Sequence, residues 1–212
     1  MSEGRTGLLI VFEGTDGTGK TSQRDLLAAA LDDRGYPVVV TKEPTDGDYG
    51  RQIRQLYQER HRYSREEELQ LFLADRRQHV DQLLAPALAA GHIILCDRYF
   101  YSTAAYQGAL GLNPRDILAM NDFAPRPDLL LLFTADLDLC LKRITEGRGE
   151  TPNSFEQRDF LRRVADIYAT FDLPFLRTVD AARPMAEVHQ AVLAEVLPLL
   201  PLAPLPRRGH HS

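Results

Sequence analysis

Ten residues, FEGTDGTGKT from Phe12 to Thr21, limit what this chain can fold into more than any other stretch. They set three glycines, a lysine and a hydroxyl residue directly behind the apolar run Leu8–Phe12. Gly14, Gly19, Lys20 and Thr21 satisfy the spacing G-x-x-x-x-G-K-[ST]. Glycines let backbone N–H groups close around an anion, and a helix opening at Thr21 aims its positive dipole end at the same point. The lysine bridges phosphate oxygens, and the threonine hydroxyl can ligate Mg²⁺. Such a loop works between a buried strand and the helix that follows it, so an α/β, doubly wound domain is predicted.

The other apolar runs fit that architecture. Val38–Thr41, His92–Cys96 and Leu129–Thr134 are continuous rather than alternating, as in parallel strands covered on both faces, and Thr178–Asp180 is a shorter fifth. Helical patterns lie between them. Thr21–Arg34 ends at Gly35. Ser64, with Glu67 three residues on, is a capping box opening a long helix to about Ala89. Asn113-Pro114 reads as an N-cap and first helical residue, and Asp138–Thr145, Phe155–Phe171 and Pro184–Leu197 complete the set. One domain is expected over residues 1–200, with the proline-rich end, 201–212, disordered.

A net charge of -5 excludes the broad basic face of a general nucleic-acid binder. No apolar run reaches the ~20 residues of a membrane helix, and MSEGRTG lacks the apolar core of a signal peptide. Cys96 and Cys140, isolated in apolar runs, read as buried thiols of a reducing, cytoplasmic compartment. His61, His79, His92 and His189 show no metal-ligand spacing.

The loop alone specifies a nucleoside triphosphate with Mg²⁺, and no N-K-x-D guanine reader accompanies it. A second constellation, Asp97-Arg98-Tyr99, follows the strand His92–Cys96. An acid at a strand end beside a phosphate loop is placed to hold the Mg²⁺ shell or to orient an attacking oxygen. The arginine offers a two-pronged fork to another phosphate. Read alone, the two residues are also a strand-end ion pair.

FEGTDGTGKTSQ, DRYFYSTAAYQG and FAPRPDLLLLF resemble the thymidylate kinases, P-loop enzymes that move a phosphoryl group from ATP to dTMP. The likeness runs from about Leu8 to Leu197, and D-R-Y-x-x-S-x-x-A-Y-Q-G is its most specific part. It implies a P-loop kinase three-layer sandwich: a five-stranded parallel sheet flanked by helices, with a short lid at about 146–156. It makes Gly14, Thr15, Asp16, Gly17, Thr18, Gly19, Lys20 and Thr21 the ATP site, and Thr21 with Asp97 the Mg²⁺ holders. Asp16 stands where the family has an acid near the sugar 3′-hydroxyl; taken alone it is also a turn residue. Phe72 and Arg76, four apart on a predicted helix, match the base-reading positions, a ring for thymine and a donor for its O4. Without the resemblance they read as core and solvent-facing residues. Tyr106 and Gln107 match the wall of sugar and base, Ser102 belongs to the same motif, and Arg54 matches an arginine for the dTMP phosphate.

Three departures stand out. Lys42 replaces the usual arginine, Thr45-Asp46 replace Gly-Gly, and the lid carries Asn153-Ser154-Phe155-Glu156 in place of D-R-[FI]-E. The lid is also about two residues short. With Gly17 after the acid, the family places its catalytic arginine in the lid; Arg148 is the first candidate, ahead of Arg143 and Arg158. Val179–Pro184 matches the loop bordering adenine. The expectation is ATP + dTMP giving ADP + dTDP, with Lys20, Asp16, Arg98 and Arg148 catalytic, in a homodimer that engages neither nucleic acid nor membrane. The rivals are a kinase of another deoxynucleotide such as dUMP, and a silent nucleotide-binding regulator.

Overall fold

A computed structural model describes the backbone of residues 7–148 and 154–201, and the side chains of 7–146 and 158–201. Residues 149–153 of the expected lid, with the side chains of 147–157, and residues 202–212 of the expected tail lie outside the described residues. Five parallel strands, β1 (Leu8–Gly14), β2 (Val38–Lys42), β3 (Ile93–Asp97), β4 (Leu129–Thr134) and β5 (Leu176–Asp180), form one sheet in the order β2-β3-β1-β4-β5. The central strand β1 pairs Ile10 with Leu95 on one side and with Leu129 on the other.

The period of two in each strand splits the core. Leu9, Val11, Ile94, Cys96, Leu130 and Leu132 face one layer. Ile10, Phe12, Ile93, Leu95, Leu131 and Phe133 face the other. The second layer is covered by α1 (Lys20–Asp32), through Leu27 and Leu31, and by α9 (Met185–Val196), through Val188 and Val192. The first is covered by α5 (Phe100–Ala109) and α8 (Ser154–Ala169), and by a long helical segment ending in Leu84 and Leu88. Two further helices are α6 (Pro114–Ala119) and α7 (Leu137–Arg148). The three-layer arrangement is the expected one. Among the described residues no helix is long and apolar enough to cross a membrane.

The long helix from Ser64 is interrupted. It divides into α3 (Arg65–His79), a π-turn (Val80–Leu84) and α4 (Ala85–Ala89). Pro86 explains the break: it has no N–H for the carbonyl one turn back, and its ring needs the extra room that a π-turn gives. The capping box is present, with Glu67 N–H donating to Ser64 Oγ at 3.1 Å and Ser64 N–H to Glu67 Oε2 at 2.8 Å. Two helices went unread in the sequence, α2 (Asp48–Gln58) and α5. In α2 a glycine in the first turn mimics a loop. Gly50 is there because a Cβ would lie 1.9 Å from the Thr45 carbonyl oxygen.

Candidate active site

The loop between β1 and α1 leaves the sheet beside β3, where the strand order reverses and α/β folds open a crevice at the carboxyl ends of their strands. Gly17, at φ +82°, lies against α7, where a Cβ would meet the Cys140 carbonyl oxygen at 2.4 Å. Gly17→Ala is therefore expected to displace the loop from α7 and raise the KM for ATP at least tenfold; steady-state kinetics read it, and an unchanged KM would contradict this packing.

Lys20 is buried and donates from Nζ to the Thr15 carbonyl at 2.8 Å. Burial first, then the neighbouring Arg98 cation, push its ammonium down to about 8. Thr21 Oγ1 donates to Asp97 Oδ2 at 2.5 Å, and Arg24 Nη1 stands 3.8 Å from the same oxygen. Thr21 and Asp97 thus supply two hard oxygen ligands at the helix start. No group of three or more His, Cys, Asp or Glu suited to a metal occurs among the described residues. A two-oxygen foothold completed by phosphate and water suits Mg²⁺, which seldom takes an all-protein cage.

Arg98 has φ 68°, a left-handed conformation that costs a non-glycine residue on the order of 1 kcal/mol. Its N–H donates to the Phe12 carbonyl at 2.9 Å, and the Arg98 carbonyl accepts the Cys96 thiol at 3.0 Å. The guanidinium donates to Asp16 Oδ1 at 2.9 Å, Ser102 Oγ at 2.9 Å and Tyr106 Oη at 3.1 Å, and it lies 4.9 Å from the Tyr106 ring centroid. Tyr106 in turn donates to Asp16 Oδ2 at 3.1 Å. Arg98 therefore pairs with Asp16 from the loop, and the strand-end pairing with Asp97 does not occur in the observed ion pairs.

A second buried network sits behind. Glu43, just past β2, accepts from Arg76 Nε and Nη2 at 2.9 and 2.6 Å, and its other oxygen meets His79 Nδ1 at 2.9 Å. Arg76 also donates to Asn121 Oδ1 at 2.7 Å and Thr103 Oγ1 at 3.0 Å. Burial works to raise Glu43, but Arg76 and His79 outweigh it and hold the carboxylate below its ordinary range. Arg76 is only 1% exposed, so it is no solvated helix residue.

Two cavities meet at this point. One, about 370 Å³, is lined by Phe72, Arg76, Ser102, Tyr106 and Gln107, the residues expected for the acceptor. The other, about 490 Å³, is lined by Gly17, Gly19, Lys20, Thr21, Asp97 and Arg54. Asp16, Glu43, Pro44, Tyr57 and Arg98 line both. Within the first cavity Gln107 is 1% exposed, and its Oε1 is buried with no hydrogen-bond partner among the described residues.

The structure brings together most of the residues singled out in the sequence. Arg54 donates to the Thr45 carbonyl at 2.8 Å and pairs with Asp46 at 3.2 Å; Lys42 pairs with the same carboxylate at 3.3 Å. The unexpected Asp46 is thus shared by two cations. Arg148 ends α7, but its side chain lies outside the described residues, while Arg143 donates to the carbonyls of Gly17 and Ala181 at 3.5 and 3.0 Å. Arg158 pairs with Asp138 of α7 at 3.0 Å. Sequence reading missed Glu13, Tyr57, Arg60 and Glu68. Glu13 had a visible signal, a lone acid in the apolar strand LLIVFEG, and Glu68 one as well, four residues before Phe72 on the face it shares with Arg76.

A phosphate loop on this parallel sheet, opening on a second cavity walled by arginine and aromatic rings, defines a P-loop kinase. The thymidylate kinase family profile matches residues 12–192. The chain is 48% identical over 197 residues to a thymidylate kinase of Desulfotalea psychrophila, covering 93% of this chain and 98% of that one. Against thymidylate kinases of Xanthomonas campestris and Xylella fastidiosa it is 47% and 44% identical, covering 89% and 92% of this chain and 84% and 88% of theirs. The chain belongs to the thymidylate kinase family.

Proposed function

We propose that this protein transfers the γ-phosphoryl group of ATP to dTMP, giving ADP and dTDP. The observation that carries the reading is the pair of adjoining cavities with Asp16 and Arg98 in their common wall. Family membership and the thymidylate kinase names of the relatives support the choice of substrates.

In this reading the loop N–H groups from Gly14 to Thr21 and the Lys20 ammonium hold the donor phosphates. Thr21 and Asp97 would hold Mg²⁺, which would supply charge neutralisation on those phosphates. Arg98 reaches both cavities, so its guanidinium spans the path between donor and acceptor and offsets the charge that builds during transfer. Arg54, which lines the phosphate-loop cavity and is held by the Thr45 carbonyl and Asp46, is the cation the family resemblance assigns to the acceptor phosphate. Asp16 keeps the Tyr106 hydroxyl and Arg98 in register and faces the sugar 3′-hydroxyl. Phe72 stacks on the base. Arg76 spends four of its five N–H groups on Glu43, Asn121 and Thr103, leaving one on Nη1 for a base carbonyl. Gln107 Oε1 is an acceptor suited to the N3–H of thymine. Arg148 or Arg143 supplies the further cation. Transfer is in line and needs no covalent intermediate. The same resemblance carries a homodimer, tested by sedimentation equilibrium, and the two free thiols Cys96 and Cys140 agree with the cytoplasmic setting read from the composition.

Cytosine carries an N4 amino donor where thymine has its O4 acceptor, so it meets the remaining Arg76 N–H donor to donor, and a site built for a hydrogen bond rejects a partner that lacks it by a large factor. ADP release with ATP, Mg²⁺ and each of dTMP, dUMP, UMP and dCMP is the test. dTMP is expected to exceed dCMP in kcat/KM by at least about 10²-fold and to exceed dUMP and UMP. Preference for dUMP would move the assignment to another acceptor, and nucleotide binding without ADP release would make the protein a silent binder.

A further inference from the structure

Glu13 is the last side chain of β1 before the loop glycine, and it has no exposed surface. Its Oε1 accepts the backbone N–H groups of Tyr99 and Ser102, at 2.8 and 3.0 Å, in the opening turn of α5. Its Oε2 accepts Ser102 Oγ at 2.5 Å and the Tyr168 hydroxyl of α8 at 2.7 Å. The two backbone N–H groups can only donate, and the two hydroxyls, 2.9 Å from each other, have protons to give to the other oxygen, so the arrangement suits a carboxylate.

A helix start needs an acceptor, yet the side chains that usually serve are short ones such as serine or asparagine. A carboxylate in a dry site is expensive, and burial pushes Glu13 up even though Ser102, Arg98, Tyr168 and Tyr99 pull the other way. The charge therefore calls for a reason beyond capping. Ser102 supplies it. With its single proton given to Glu13, the Ser102 hydroxyl has only lone pairs left, and one of them receives Arg98 Nη1 at 2.9 Å.

We propose that Glu13 is a positioning residue for Arg98: through Ser102 it fixes the rotation of the guanidinium in the wall between the two cavities, and Tyr168 of α8 holds it there. This rests on the phosphoryl-transfer reading above. Neither Glu13 nor Tyr168 lines either cavity, so both act at one remove. A misplacement on the order of 1 Å in such a group can cost about 10²-fold in rate.

The test is Glu13→Gln in the full chain, alone and combined with Arg98→Lys, with kcat, both KM values and melting temperature measured. Glu13→Gln is expected to lower kcat about 10- to 100-fold, to leave the KM for ATP within about twofold, and to leave the melting temperature unchanged or higher because a buried charge is gone. In the Arg98→Lys background it should cost less than about threefold more, since its effect passes through Arg98. Independent, multiplying losses, or a fall in melting temperature that tracks the loss of kcat, would make Glu13 a structural cap and overturn the proposal. Should Glu13→Gln not fold, Ser102→Ala breaks the same link and leaves Glu13 three donors; full kcat in that variant overturns the proposal equally. A wild-type chain silent on dTMP would sink the phosphoryl-transfer reading and this inference with it, whereas an active wild type beside a fully active Glu13→Gln sinks the inference alone.

Discussion

Lys20→Met is expected to melt higher than the wild type at pH 7 while losing turnover by on the order of 10³-fold. The two effects share one cause. Burial pushes the Lys20 ammonium from its ordinary 10.5 down to about 8, so the folded chain holds at pH 7 a proton it holds poorly. That drop corresponds to roughly 3 kcal/mol against the folded state. Methionine fills similar space without charge but gives up the bonds to Thr15 and Thr18, worth about 1 kcal/mol, so a net gain of about 2 kcal/mol is expected. Its pH dependence has a definite sign. Between pH 8 and 10.5 the unfolded chain binds this proton and the folded chain does not, so the wild type gains stability from Lys20 as pH rises. The advantage of Lys20→Met should therefore be full below pH 8 and fade toward pH 10.5. Thermal unfolding of both proteins at pH 7 and pH 10 reads it directly; a lower melting temperature for the variant at pH 7 would refute the account.

Arg76→Met is expected to lose about 3–5 kcal/mol of stability, beyond any effect on the acceptor. The arginine is among the largest fully buried side chains in the structure, and its removal leaves Glu43, at 5% exposure, with the His79 ring as its remaining side-chain partner. Urea unfolding measures the loss. The double variant Arg76→Met/Glu43→Gln should recover part of it, because the stranded charge goes too. A loss below about 1 kcal/mol in the single variant would mean that Glu43 is held by other groups.

The apolar runs made the sheet readable, because strands buried on both faces need no alternation. The helix α5 was hidden for the opposite reason: nearly every residue from Phe100 to Ala105 is buried, so its sequence lacks the polar stripe that marks an amphipathic helix. The π-turn at Val80–Leu84 answers to one proline and to packing around it, which spacing alone does not report. At the site, single-residue chemistry such as that of Lys20 and Arg98 was legible. Partnerships were not. That Arg98 bonds Asp16 across 82 positions, or Glu13 bonds Tyr168 across 155, depends on the strand order that brings β1 beside β3 and lays α8 over them. Asp46 looked like an intrusion of charge until Lys42 and Arg54 were seen to flank it.

Asp16, Glu43, Pro44, Tyr57 and Arg98 border both cavities. A wall with two sides transmits: whatever one nucleotide does to the seating of Arg98 or Tyr57, the other meets on arrival. Coupling of this kind is reciprocal, so ATP must alter the affinity for the acceptor by the same factor by which the acceptor alters the affinity for ATP. Substitutions in the common wall are therefore expected to shift both affinities.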